Sequence, residues 1–451
     1  MKHTLGIRRE DISKTAEKRV AITPDIAATL VQAGHRVILQ PGIHPQTGEI
    51  KRTFPDADYI AAQAEISESL EDARIIFGLK EIEPDHLLPD RTYLFFSHTH
   101  KGQLKNRTLL RRLIAQRATL IDYELIVKSD GRRMLTAFTY FAGYAGMTDT
   151  LWTLGQKWAA QGIRSPFELI PQAIEKEDLG HIRALYQQAG ALIQTEGTPA
   201  GCPPVIIGFM GNGKTSAGAQ EMLDYLPVTP ITPAELPYIY AQGSRHTLYK
   251  LVLEIPQLYK PIPGSPLDGD PLPGSSFNQA YLQTPQYFES NLEHIFPYCT
   301  ILMNCVLWSD RFPRLLTRTA TRRWYASHKT LQVIGDITCD PEGAIQFSRE
   351  TWIDNPVFTY YPADDHTLDG ILPDGISVMA VTNLPCEFSA DASVHFGREI
   401  EPLLMSIAAA DYDAPSPADA GLPMPAIQAT ILWQGAFTPP YTYMQAFVQD
   451  A

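Results

Sequence analysis

Three short runs of ionisable residues draw attention because each closes a stretch that reads as a buried strand. Lys80-Glu81 follows the stretch Arg74–Leu79, Ser97-His98-Thr99-His100-Lys101 follows Tyr93–Phe96, and Asp122-Tyr123-Glu124 closes the run that begins at Ala118. The start of the chain adds Arg8-Arg9, then Lys14, Glu17 and Arg19. Histidine moves protons near neutrality without adjustment, and lysine can be tuned to do so by its surroundings. Arginine and lysine clamp carboxylates. One chemistry that needs all of these is the addition of an amine to a keto carbon. A carbinolamine loses water, a hydride reaches the imine, and protons move at each stage.

A second constellation, VIIGFMGNGKTSAGAQEML, supports two motifs on the same residues. Gly208-x4-Gly213-Lys214-Thr215 satisfies the P-loop pattern, in which backbone amides and a lysine cradle nucleoside phosphates. Gly211-x-Gly213-x-x-Ser216, with Gly218 two residues on, satisfies the dinucleotide turn. There the first glycine makes the turn, the second admits a pyrophosphate, and the small third residue lets helix and strand close up. A P-loop enzyme needs a Mg²⁺-binding Asp at the end of a later strand, and Asp336 stands at such a position. The next strand is expected near residues 228–240, where no acidic residue stands ready for a ribose 2′-hydroxyl. That makes NADP(H) at least as suitable as NAD(H).

The elements that must position these groups alternate in type. Thr23-Pro24-Asp25 is an N-cap with proline at the first helical position, and Gly34 ends that helix. Strands recur at Val37–Gln40, Arg74–Leu79, Tyr93–Ser97 and Ala118–Tyr123, with a helical pattern over Leu104–Gln116. Helices at Asp149–Gln161 and near Asp178–Gln188 lead to a second α/β unit opening at Val205–Gly208. Its later strands read at Thr300–Leu307, Leu331–Ile334 and Ser377–Val381. Residues 255–276 hold six prolines and read as loop. The pattern predicts an α/β protein of two Rossmann-like, doubly wound parallel-sheet domains with a cleft between them. The first domain is expected over 1–148, completed by about 386–451, and the dinucleotide-binding domain over 149–385 with the Pro-rich insert.

Bulk properties narrow the class. The chain has 451 residues, 44% hydrophobic, and a formal net charge of −13, which argues against nucleic acid as a partner. Residues 1–134 carry 21 Lys+Arg against 18 Asp+Glu, leaving 16 against 32 for the remainder, so a basic excess sits with the proton-transfer candidates. The opening MKHTLGIRRED has no apolar run and no stretch is long enough to span a bilayer, so a cytoplasmic protein without membrane contact is expected. Five scattered cysteines (202, 299, 305, 339, 386) read as reduced thiols, and no spacing suggests a metal site.

GLKE (78–81), FFSHTHKGQ (95–103), LIDYELI (120–126) and AFTYFAGYAGM (137–147) together resemble the alanine dehydrogenase and transhydrogenase superfamily. Within it they look most like the saccharopine branch: saccharopine dehydrogenase (lysine-forming) and the lysine–2-oxoglutarate reductase domain of the bifunctional lysine-degrading enzyme. GNGKTSAGAQE (211–221), NCVLWSDRFPRLLT (304–317), GDITCDPEGAIQF (335–347), ASVHFG (392–397) and GAFTPPYTYM (435–444) extend the likeness along the chain. The resemblance implies an oxidoreductase of lysine metabolism interconverting saccharopine with lysine and 2-oxoglutarate. It implies Lys80 and His98 as the acid/base pair, and Lys14, Glu17, Arg19, Lys101, Gln103, Glu124 and Arg133 as substrate or tuning groups. Arg132, Gly211, Asn212, Gly213, Ser216, Gly218, Thr382 and Asn383 would serve the cofactor, NADP(H) or NAD(H) with NADP(H) slightly favoured. It disfavours the P-loop reading, and leaves room for a separate saccharopine-processing enzyme as partner.

Four features depart from the family pattern. Thr382 stands where an acidic residue is usual, Lys214-Thr215 places a charge inside the glycine turn, and the stretch Arg133–Ala137 is one residue longer than in family members. The Pro-rich insert has no clear counterpart. The alternatives are a related NAD(P)-dependent amino-acid or opine dehydrogenase with another substrate, or a non-catalytic dinucleotide or amino-acid sensor.

Overall fold

The computed structural model describes residues 2–269 and 271–449; residue 270, within the Pro-rich stretch, lies outside the described residues. The chain divides into two compact units, Met1–Ala137 with Ser389–Ala451, and Phe138–Phe388. The first division falls after Ala137 rather than after residue 148. Residues Ala137–Ala160 form one helix, whereas the sequence suggested a start at Asp149. AFTYFAGYAGM is apolar on every side, so no amphipathic period marks its helical start.

In the first unit, β1 (Thr4–Ile7), β2 (Arg36–Leu39), β3 (Glu65–Ile66), β4 (Ile75–Phe77), β5 (Thr92–Phe95) and β6 (Thr119–Asp122) run parallel in the order β6-β5-β4-β1-β2-β3. The returning strands Thr430–Trp433 and Ala436–Phe437 extend the β6 edge antiparallel. All four residues of β5 and of β6 are buried, as expected for parallel strands covered on both faces. The strand order reverses between β1 and β4. That switch point opens a crevice outside the carboxyl ends of both strands.

The second unit repeats the plan. β7 (Ile206–Met210), β8 (Val228–Ile231), β9 (Leu248–Leu253), β12 (Ile301–Asn304), β13 (Val333–Asp336), β14 (Val357–Tyr361), β15 (His366–Asp369) and β16 (Ile376–Met379) form a sheet ordered β15-β14-β16-β13-β12-β7-β9-β8. A separate two-stranded ribbon pairs β10 (Tyr259–Pro261) with β11 (Phe288–Ser290). Here the order reverses between β7 and β12. The Pro-rich stretch is more structured than expected. It opens with a short helix, Ile255–Leu258, continues into β10, and ends in the helix Gly274–Gln283. Burial of Tyr259, Phe277, Tyr281 and Phe288 in the core of the second unit explains this, since aromatic packing outweighs the local breaking effect of proline.

Among the described residues no helix is long and apolar enough to cross a membrane. All five cysteines are free thiols.

Candidate active site

The carboxyl ends of β1, β4, β5 and β6 gather the ionisable runs. Where β1 ends, Glu10 turns back and its carboxylate accepts the backbone N–H groups of Leu79 (2.8 Å) and Lys80 (3.0 Å), tying the loop after β4 to the loop after β1. Burial pushes the Glu10 carboxyl up, against the pull of Arg8. Asp122, at the end of β6, accepts from the Ser97 hydroxyl (2.5 Å), the Ser97 N–H (3.1 Å) and the Glu124 N–H (2.8 Å). Two buried carboxylates therefore fix four strand ends at a common level.

On this frame lies a line of alternating charge. The Lys14 ammonium pairs with Glu81 at 2.9 Å, and the other oxygen of Glu81 meets Nδ1 of His98 at 2.6 Å. Nε2 of His98 faces Glu124 at 3.9 Å, and Glu124 also holds Lys101 (2.9 Å) and Arg133 (2.6 Å). Burial alone would raise the Glu81 carboxyl. The His98 and Lys14 contacts outweigh it and hold Glu81 well below the usual carboxylate range. His98 sits in the left-handed region at φ 51°, a conformation that costs a non-glycine residue about 1–2 kcal/mol. Such strain persists only where surrounding contacts enforce it. With Nδ1 committed to Glu81, Nε2 is the nitrogen left for proton exchange.

The other candidates fall in different places. Lys80 is half-buried, and its ammonium forms no hydrogen bond or ion pair among the described residues. Arg19 and Glu17 are buried and paired, at 2.6 and 2.8 Å. Gln103 is exposed at the start of a short 3₁₀ turn. Arg132 is exposed and paired with Asp130, so it stands outside the charged line that its neighbour Arg133 joins. Sequence reasoning passed over Glu10 and gave Glu81 no role. A carboxylate followed closely by another at strand ends was the available signal.

In the second unit, β7 passes in three residues, Gly211-Asn212-Gly213, to the helix Lys214–Leu223. Gly208 lies inside β7, paired with Leu251 and Leu302, so it cannot open the long loop that a P-loop requires. Asp336 is fully buried and accepts from Asn304 (2.8 Å), the Cys339 N–H (3.1 Å) and the Ser348 hydroxyl, so its carboxylate is already engaged. The dinucleotide turn fits instead. Gly211 has φ +95°, a conformation that favours glycine, and a Cβ on Gly213 would meet nothing within 4 Å, leaving its backbone open to approach. Ser216 is buried. A Cβ on Gly218 would lie 2.3 Å from the Tyr140 carbonyl oxygen, and one on Gly143 would lie 2.2 Å from that of Thr215, so these two helices meet backbone to backbone.

A cavity of about 700 Å³ opens at this turn, lined by Gly211 to Thr215, by Cys305 to Leu307 after β12, and by Ile337 and Thr338 after β13. Glu254 also lines it and accepts from the Asn212 carboxamide at 3.2 Å. This corrects the expectation that no acidic residue closes the next strand. The strand beside β7 is β9, not the 228–240 segment, and β9 runs directly into Glu254. The segment Val228–Ile231 goes to the sheet edge first, and the chain then returns to fill the inner position, an order that sequence spacing does not reveal. Thr382 and Asn383 follow β16. The Thr382 N–H bonds the Thr351 carbonyl, and the Asn383 carboxamide reaches the Cys386 sulfur at 2.7 Å.

Comparison with known proteins agrees with this arrangement. Residues 6–145 match the family described as alanine dehydrogenase/PNT, N-terminal domain. Alpha-aminoadipic semialdehyde synthase of Arabidopsis thaliana is 35% identical over 98% of this chain and 41% of its own length. The mitochondrial enzyme of that name from Bos taurus is 30% identical over 98% of this chain and 48% of its own length. The chain thus spans less than half the length of these relatives. The Emericella nidulans protein named saccharopine dehydrogenase [NAD(+), L-lysine-forming] is 28% identical over 88% of this chain and 90% of its own. Among solved structures, an L-alanine dehydrogenase superposes with a TM-score of 0.61 at 18% identity, covering 98% of this chain and 99% of the other. At that identity the likeness speaks for the fold, two Rossmann-like units. Residues 6–145 are therefore similar to the alanine dehydrogenase/PNT N-terminal domain, and nearly the whole chain is similar to part of the alpha-aminoadipic semialdehyde synthases.

Proposed function

We propose that this protein is a nicotinamide-dependent oxidoreductase that interconverts saccharopine with lysine and 2-oxoglutarate. The observation that carries the reading is the line Lys14–Glu81–His98–Glu124 beside Lys80 at the switch-point crevice, in a chain related to enzymes named for this chemistry. The first unit is the substrate unit, and residues 138–388 are the dinucleotide-binding unit.

Lys80 and His98 exchange protons with the amine and the carbinolamine oxygen. Glu81 holds the His98 ring through Nδ1, so that Nε2 is presented in one orientation. Lys14, Lys101 and Arg133 are the cations to which substrate carboxylates bind, exchanging with Glu81 and Glu124. Arg19, locked to buried Glu17, supports the wall of the crevice, and Gln103 contributes a hydrogen bond at its rim. A bound nicotinamide supplies or receives the hydride.

Gly211, Asn212 and Gly213 receive the pyrophosphate at the start of the helix Lys214–Leu223, while Ser216 and Gly218 let that helix pack closely. Glu254 accepts the ribose hydroxyls of NAD(H) and repels a 2′-phosphate, so NAD(H) is the preferred cofactor despite Lys214 nearby. The test follows the absorbance of NADH and NADPH with lysine and 2-oxoglutarate, together and separately. Oxidation that requires both substrates and is faster with NADH is the expected result. Turnover only with alanine and pyruvate, or none despite nucleotide binding, overturns the substrate assignment.

A further inference from the structure

The loop after β1 carries three of the candidate residues on a stretch without regular structure. Residues 8–23, between β1 and the helix that begins at Pro24, form no helix or strand. They include Lys14, Glu17 and Arg19. The chain turns where the Lys14 N–H donates to the Asp11 carbonyl (2.9 Å) and the Glu17 N–H donates to the Lys14 carbonyl (3.2 Å). Ala16 sits in the left-handed region at φ 58°, a conformation that persists only where neighbouring contacts enforce it. Where the Lys14 ammonium meets Glu81 therefore depends on what anchors the chain at residue 14.

The anchor comes from the loop after β2. That strand pairs with β1 in parallel, so the two loops leave the sheet side by side. The second loop forms a hairpin in which Ile43 faces Ile50, and the chain then runs along the first loop. There the Thr53 N–H donates to the Lys18 carbonyl at 2.9 Å, and the Lys51 ammonium donates to the Lys14 carbonyl at 2.7 Å. The Lys51 side chain is 0% exposed, and its carboxylate partner, Glu49 at 3.1 Å, is 36% exposed. Arg8, Arg9, Arg19 and Arg52 line the same small pocket as Lys51, and each holds a carboxylate of its own. The charge of Lys51 thus rests on Glu49 and on the Lys14 carbonyl. Burying an ammonium is costly unless it is paired and hydrogen-bonded, and a methionine of similar length would fill the space without that cost. What the ammonium adds beyond bulk is a bond between the two loops, made at the residue that heads the ion-pair line.

We propose that Lys51 is a positioning residue of the candidate site: its ammonium holds the Lys14 carbonyl and thereby sets the Lys14 side chain against Glu81, where a substrate carboxylate binds. The proposal rests on the reading of the first unit as the substrate unit and adds the residue that fixes one of its cations. Two readouts on the full chain test it. The first is amide hydrogen exchange without substrate. Lys51→Met should speed exchange of residues 11–19 by about 10-fold, the worth of one hydrogen bond to a charged group, and leave β4, β5 and β6 unchanged. Unchanged exchange of 11–19 overturns the proposal, and so does faster exchange spread over those strands, which marks a general role in the core. Lys51→Gln, uncharged and one bond shorter, gives the same comparison if the methionine variant folds poorly. The second readout is a double-mutant cycle on kcat/KM for 2-oxoglutarate with lysine in excess. Lys51→Met alone should lower it by about 10-fold. Added to Lys14→Met it should change the value by less than about twofold, because Lys51 acts through Lys14. Losses that multiply overturn the positioning role. A parent chain that binds nucleotide but turns over no lysine and 2-oxoglutarate overturns the substrate assignment, while the exchange pattern still decides whether Lys51 holds the loop.

Discussion

At the scale of single residues, the candidate site is a balance of charges held by carboxylates. The Lys80 ammonium has no hydrogen bond or ion pair among the described residues, and His98 has one nitrogen committed and one facing Glu124. Removing either of the two groups proposed to transfer protons while preserving shape, as Lys80→Met or His98→Gln, should lower turnover by about 10²–10⁴-fold. Steady-state rates measure this, and full activity in either variant excludes that residue from the mechanism. Glu81 makes a separate prediction about acid stability. Its folded-state carboxyl lies well below the unfolded value near 4, because the His98 and Lys14 contacts overcome the effect of burial. Its contribution to stability is therefore present above about pH 4 and is lost as pH falls toward the lower folded value. Denaturant titrations of Glu81→Gln should show a shallower acid loss than the parent, and an unchanged acid limb contradicts the ion pairing.

At the scale of elements, the glycine turn works only because its helix can lie close against the helix Ala137–Ala160. Gly143 and Gly218 each face a backbone oxygen at a separation no methyl group tolerates. Gly218→Ala should force the helices apart, lower stability by about 1–3 kcal/mol and shift the turn proposed to receive the pyrophosphate. Nucleotide affinity should fall with it, although residue 218 lines no part of the cavity. Thermal melting and NADH titration read the two effects, and an alanine variant with unchanged values of both refutes the close-packing argument. The glycines were legible in the sequence as a motif, but their packing partner was not. The helix carrying Gly143 opens with a run, AFTYFAGYAGM, that holds no charged residue and gives no periodic signal of the face it presents.

At the scale of the whole molecule, stability should carry the mark of a buried acid pair. Asp149 and Glu387 are fully buried neighbours, and burial pushes Asp149 up to about 7 and Glu387 upward as well. The folded state then keeps protons that the unfolded state releases above about pH 4. Stability from this pair is full below that value and falls as pH rises through about 7. The double variant Asp149→Asn/Glu387→Gln should flatten this loss, seen as a smaller drop in Tm between pH 5 and 8. A drop as large as the parent's would mean that other groups set the neutral-pH dependence. The C-terminal segment makes a second point at this scale. Strand Thr430–Trp433 returns to cover the edge of β6 after an excursion of some three hundred residues, and it completes the sheet that holds Asp122 and Glu124.

The sequence by itself determined the class of the fold, the strand ends that carry Lys80, His98 and Glu124, and the glycine turn. Each rests on local chemistry: apolar runs closed by polar residues, and small residues where the chain must bend. The choice between two phosphate motifs needed the register of β7, because only pairing with β9 and β12 shows Gly208 to be strand rather than loop. The acidic residue of the turn, Glu254, was hidden for a related reason. Spatial neighbours in a parallel sheet need not follow chain order, and here the edge strand β8 forms before the inner strand β9. The ion-pair line through Glu81 likewise belongs to the tertiary structure. It depends on side chains far apart in sequence meeting at the strand ends of the first unit, and no spacing along the chain encodes a distance in space.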